Sequence, residues 1–94
     1  MSTVGGHAPA GAVRETKERL AGLVAAASDG EVSAAEALAA DLPLSALGFT
    51  SLAQMRLIDA IEREFGVDVD FSDESLAALE DLDLLAAYIT GRAR

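Results

Sequence analysis

The residues with most scope for chemistry in this 94-residue chain are two neighbouring hydroxyls, Thr50 and Ser51, preceded by Leu47-Gly48-Phe49 and followed by Leu52. Serine acts as a catalytic nucleophile only with a base in hydrogen-bond reach and a third group to orient that base. The one histidine, His7, falls in a Gly-rich N-terminal stretch and reads as a solvated tail residue, neither a base nor a metal ligand. Carboxylates one turn apart, Asp59 with Glu62 and Glu80 with Asp83, could in principle serve as an acid and a base. On an exposed helix that spacing ordinarily gives a solvated face. Asp68, Asp70 and Ser72 imitate the start of a calcium loop, but Asp73 stands where the loop needs Gly and Leu79 where it needs Glu. With no cysteine, the chain has no thiol nucleophile, thiolate zinc site or disulfide framework. No catalytic residue and no metal ligand is expected, and the chain is not expected to be an enzyme.

What the two hydroxyls can do depends on the helix after them. Ser or Thr at a helix start is ordinary capping chemistry, and on the residues alone capping accounts for the pair. Two in succession leave a further use open: Thr50 can cap while Ser51, the first helical residue, points outward. A phosphate esterified to Ser51 would then lie at the positive end of the helix dipole, near backbone N–H groups without intrahelical partners.

The elements that must position this pair are helical. Val13, Leu20, Val24 and Ala27 form one stripe from Ala12 to about Ser28, with Glu15 one turn before Arg19, and Asp29-Gly30 stops that helix. Ser33 and Glu36 make a capping box for a short segment, Ser33 to Ala40, closed by Pro43. Leu44 to Gly48 reads as a turn, and Leu57, Ile58, Ile61 and Phe65 give the next helix its inward stripe until Gly66. Val67 to Asp70 is expected to be an extended linker. Ser72 starts a short helix with Leu76 and Leu79 facing inward, and Asp81 caps a last helix carrying Leu82, Leu85 and Ile89 until Gly91. The sum is an all-α four-helix bundle with one long first connection. A disordered tail is expected over 1–11, one domain over 12–91 and a short tail over 92–94.

Sixteen acidic against seven basic residues give a net charge of −9, which repels nucleic acid and anionic lipid headgroups and suits a basic protein partner. Residues 59–94 carry ten of the acids and three of the bases. No basic leader precedes Val13, and the Leu23–Ala27 apolar run is far too short to span a bilayer, so a cytoplasmic location is expected. The chain is also expected to be a monomer.

Leu47-Gly48-Phe49-Thr50-Ser51-Leu52, followed by Leu57, Ile58, Ile61, Glu62, Phe65, Gly66 and Val67 and by a closing Leu85-Ala86-Ala87-Tyr88-Ile89, resembles the acyl carrier and peptidyl carrier protein family over roughly residues 12–90. The resemblance implies an acyl-carrier-protein-like bundle whose long first loop holds a short extra helical segment. It implies that Ser51 receives 4'-phosphopantetheine from coenzyme A through a phosphopantetheinyl transferase, making the chain a phosphoprotein whose arm holds acyl or aminoacyl groups as thioesters. A chain without cysteine has no thiol of its own to take that cargo. The resemblance further implies a partner face of Thr50, Leu52, Met55, Arg56, Asp59 and Glu62. Acyl- or aminoacyl-loading enzymes, acyltransferases, ketosynthases or condensation-type enzymes would read it. Helical phase independently favours exposure of Met55.

Three features depart from the strongly acidic carriers of fatty acid synthesis: Arg56 and Arg63 dilute the acidity of the helix, Thr50 replaces the Asp found in many members, and Asp29 to Asp41 resembles an insertion. Together they favour a free-standing carrier in polyketide or nonribosomal peptide biosynthesis, such as antibiotic biosynthesis. The alternatives are a carrier for fatty acid synthesis, or an unmodified helical adaptor with the same fold in which Ser51 merely caps.

Overall fold

A computed structural model describes residues 10–69 and 72–92. The expected tail residue His7, Asp70 of the calcium-like string and Arg94 lie outside the described residues. Five helices follow in order, α1 (Ala10–Ala27), α2 (Ala34–Ala39), α3 (Ser51–Phe65), α4 (Asp73–Ala78) and α5 (Leu82–Arg92), with a 3₁₀ turn at Leu44–Leu47 and no strand among the described residues. The arrangement is the expected all-α bundle, with α2 as the extra segment inside the long connection from α1 to α3.

Helix α1 packs against α2, α3 and α5, and α4 packs against α5. The shared core consists of Leu20 and Val24 from α1, Leu57 and Ile61 from α3, Leu79, and Leu85 and Ile89 from α5, all fully buried. Burial of such side chains from water is what holds helices of this length together, since isolated short helices are marginal. Arg19 does not use Glu15, one turn away; it pairs with Glu64 of α3 and lies over the Phe65 ring, 4.6 Å from its centroid.

The long connection is fixed by local chemistry. Helix α1 ends where Asp29 (φ 54°) and Gly30 (φ 84°) turn left-handed, and the buried Ser28 Oγ accepts the Val32 amide at 3.1 Å. The expected capping box is present, with Ser33 Oγ accepting the Glu36 amide at 3.0 Å and Glu36 Oε1 accepting the Ser33 amide at 2.8 Å. Val67 and Val69 are buried on either side of exposed Asp68, so the extended linker alternates without pairing to a strand.

Two expectations about the C-terminal helices are corrected. Leu76 does not face inward: it is 45% exposed, while Ser75, Ala78 and Leu79 fill the buried side of α4. Ser75 can occupy that position because its hydroxyl donates to the Ser72 carbonyl at 3.1 Å. Gly91 does not end the last helix, which runs on to Arg92. The Arg92 guanidinium lies 3.8 Å from the centroid of the Tyr88 ring one turn back, which covers that final turn.

Candidate functional site

The approach to Ser51 is held from both directions. The backbone before it is tied to the α4–α5 corner, where the Glu80 carbonyl accepts the Leu44 amide at 3.1 Å and Glu80 Oε1 accepts the Ser45 amide at 2.9 Å. Gly48 then takes φ 96°, a conformation that L side chains adopt only with strain, and reverses the chain. Phe49 plugs into the core, almost wholly buried, and the Phe49 amide donates to the Leu44 carbonyl at 3.2 Å. After the site, Ala53 and Leu57 anchor α3 inward. With Phe49 and Ala53 both committed to the core, the three residues between them are left at the surface.

Thr50 is the N-cap of α3: its backbone is extended (φ −78°, ψ 169°) and its Oγ1 accepts the Ala53 amide at 3.1 Å. Ser51 is the first helical residue, exposed, and its hydroxyl makes no hydrogen bond with any described residue. The amides of Ser51 and Leu52 have no carbonyl one turn back to bond, as at any helix start. An outward hydroxyl next to uncommitted amides and the positive helix end suits a singly charged phosphodiester.

The other residues expected on the partner face all lie on α3 and are all exposed: Leu52 (60%), Met55 (64%), Arg56, Asp59 and Glu62. Their three- and four-residue spacing makes one stripe descending from Ser51. The charges along it are largely matched. Arg56 Nη1 lies 3.0 Å from Asp29 Oδ2, Asp59 pairs with Arg63 one turn on, and Glu62 Oε2 accepts the Val69 amide at 3.3 Å. Asp29 is the residue that the sequence reading missed; it belongs to a turn 27 positions upstream of Arg56, and no local pattern links them. Between that turn and the head of α3 runs a shallow groove of about 210 Å³, lined by Ser28, Asp29, Gly48, Leu52 and Arg56 among others.

Of the carboxylate pairs weighed as an acid and a base, Asp59 is held by Arg63, Glu80 by the Ser45 amide and Asp83 by Lys17 Nζ at 2.9 Å. Among the described residues no group of three or more His, Cys, Asp or Glu is placed to hold a metal ion, and no helix is long and apolar enough to cross a membrane.

A family model described as "phosphopantetheine attachment site" matches residues 19–89, from the second half of α1 to the penultimate turn of α5. The chain belongs to the phosphopantetheine-attachment family. No curated protein and no solved structure matches it. Members of the family are carriers bearing covalent 4'-phosphopantetheine. As carrier domains they interact in general with a phosphopantetheinyl transferase and with biosynthetic enzymes, and are not themselves catalysts as a rule.

Proposed function

We propose that Ser51 is the attachment residue and that this carrier domain, spanning residues 12–91, tethers acyl or aminoacyl intermediates for enzymes of polyketide or nonribosomal peptide biosynthesis. The observation that carries the reading is the division of labour at the head of α3, where Thr50 caps and the exposed Ser51 hydroxyl is unbonded among the described residues. Covalent 4'-phosphopantetheine would supply a terminal thiol to hold the cargo as a thioester. The chain's own contribution is positional. Gly48 and Phe49 aim the Thr50-Ser51 pair outward, the amides of the first α3 turn would be available to a phosphate esterified to Ser51, and the bundle would present the arm to a docked enzyme at high effective concentration.

Leu52 and Met55 would be the apolar anchors for those enzymes. Arg56, Asp59 and Glu62 form the charged margin, with Thr50 at the head. Because Asp29 neutralises Arg56 and Arg63 neutralises Asp59, this margin is nearly balanced. That balance favours a specialised pathway over a fatty acid synthesis partner that selects a strongly acidic helix.

Incubation with coenzyme A and a broad-specificity phosphopantetheinyl transferase is expected to add one phosphopantetheine mass to the wild-type chain and none to Ser51→Ala. Failure of several such transferases would overturn the assignment and leave the unmodified adaptor as the reading. Intact mass of the chain isolated from its native host then identifies the cargo, and a fatty acyl group typical of lipid synthesis would overturn the pathway assignment.

A further inference from the structure

Of the exposed large apolar residues, Leu38 and Leu76 stand singly and the other four form two pairs. Leu52 and Met55 lie on the Ser51 stripe, whereas Leu42 (58% exposed) and Leu84 (54%) line a different groove, of about 480 Å³, between the end of the long connection and the α4–α5 corner. Single exposed leucines are ordinary; here two line one concave surface. A second hollow of about 370 Å³ shares Ala77 and Leu84 with this groove and runs to Tyr88 and Arg92, so the concave surface extends along α5.

The rim is acidic. Among the described residues, Asp41, Glu80, Asp81 and Asp83 line the groove against a single cation, Lys17, whose charge is spent on Asp83. The walls are also pre-formed. Glu80 clamps the Leu44 and Ser45 amides, and Asp81 Oδ1 accepts the Asp83 amide at 2.8 Å and the Leu84 amide at 3.3 Å. A groove fixed in this way costs little ordering on binding.

We infer that this groove is a second docking site, for a cationic amphipathic helix of a partner protein, whose apolar side seats on Leu42 and Leu84 and whose lysines or arginines meet Asp41, Glu80 and Asp81. Charge selects the occupant. A second copy of a chain with net charge −9 would bring further carboxylates to a rim that already has an excess of them, and a membrane with anionic headgroups would do the same. None of the groove residues belongs to the Ser51 stripe, so failure here leaves the attachment reading untouched.

The test titrates the isotope-labelled full chain with a synthetic leucine–lysine amphipathic helical peptide, a leucine–glutamate counterpart and a scrambled leucine–lysine control. Amide shifts with the lysine peptide are expected to centre on Asp41, Leu42, Ala77 and Leu84. Affinity should fall about tenfold in Leu42→Ser/Leu84→Ser, both exposed positions, and about threefold in Asp41→Asn, with weakening as salt rises. Shifts centred on Leu52 and Met55 would overturn the inference. So would equal binding by the glutamate or scrambled peptide, or an affinity unchanged in the double variant. Self-association abolished by the same two substitutions would make a second copy the occupant and overturn it equally.

Discussion

Thr50 Oγ1 accepts the Ala53 amide at 3.1 Å, and this bond frees the hydroxyl of the next residue from any structural duty. The two hydroxyls should therefore separate under mutation. Thr50→Ala is expected to lose about 1 kcal/mol of stability and still accept the prosthetic group. Ser51→Ala is expected to keep its stability within about 0.5 kcal/mol and accept nothing. Thermal unfolding with intact mass on both variants checks this.

The α3 stripe and the core side of the same helix should also come apart. Leu57→Ala empties a fully buried site and is expected to cost about 2–5 kcal/mol. Met55→Ala removes an exposed side chain, is expected to leave the denaturation midpoint nearly unchanged, and should lower kcat/KM of an acyl-transferring partner about fivefold when the loaded carrier is the substrate.

The Arg56–Asp29 pair is exposed, so Asp29→Asn should change stability by less than about 1 kcal/mol. Asn also tolerates the left-handed backbone at this position, so the substitution isolates the charge. Releasing Arg56 adds positive charge beside the attachment helix, and modification by a transferase with a basic docking surface is expected to slow about twofold to threefold at low salt. The difference should vanish at high salt, and rates at two ionic strengths measure it.

At Gly48 an added methyl group would meet no neighbour within 4 Å, so Gly48→Ala tests backbone conformation alone. A cost of about 1–2 kcal/mol is expected from the left-handed φ, with the Ser51 modification retained. A loss above that range in denaturant unfolding would mean that the turn also depends on contacts made without a Cβ.

Much of this was legible in the sequence because it is local. The Ser33–Glu36 box, the stripe of Leu57 and Ile61 and the Thr50-Ser51 helix start each reside within one or two turns of chain, where residue type and spacing are enough. Leu76 was misplaced because a six-residue helix has fewer than two turns, too few to define a stripe, and because a serine took the buried position through a backbone bond. Gly91 was misread as a stop because Arg92 finds its ring partner only once the helix has formed. Asp29 with Arg56, Arg19 with Glu64 and Glu80 with the Ser45 amide are tertiary choices, made between segments whose proximity no local pattern encodes.

Glu80 uses its carbonyl and its carboxylate on two successive amides 35 or so positions earlier, so the stretch leading into Ser51 is not a detachable epitope. A peptide covering that stretch, or a fragment ending at the linker after α3, would lack the brace and present the serine on loose chain. Amide hydrogens of Leu44 and Ser45 in the intact chain should accordingly exchange with solvent in step with those of α5, marking the turn and the C-terminal helix as one cooperative unit.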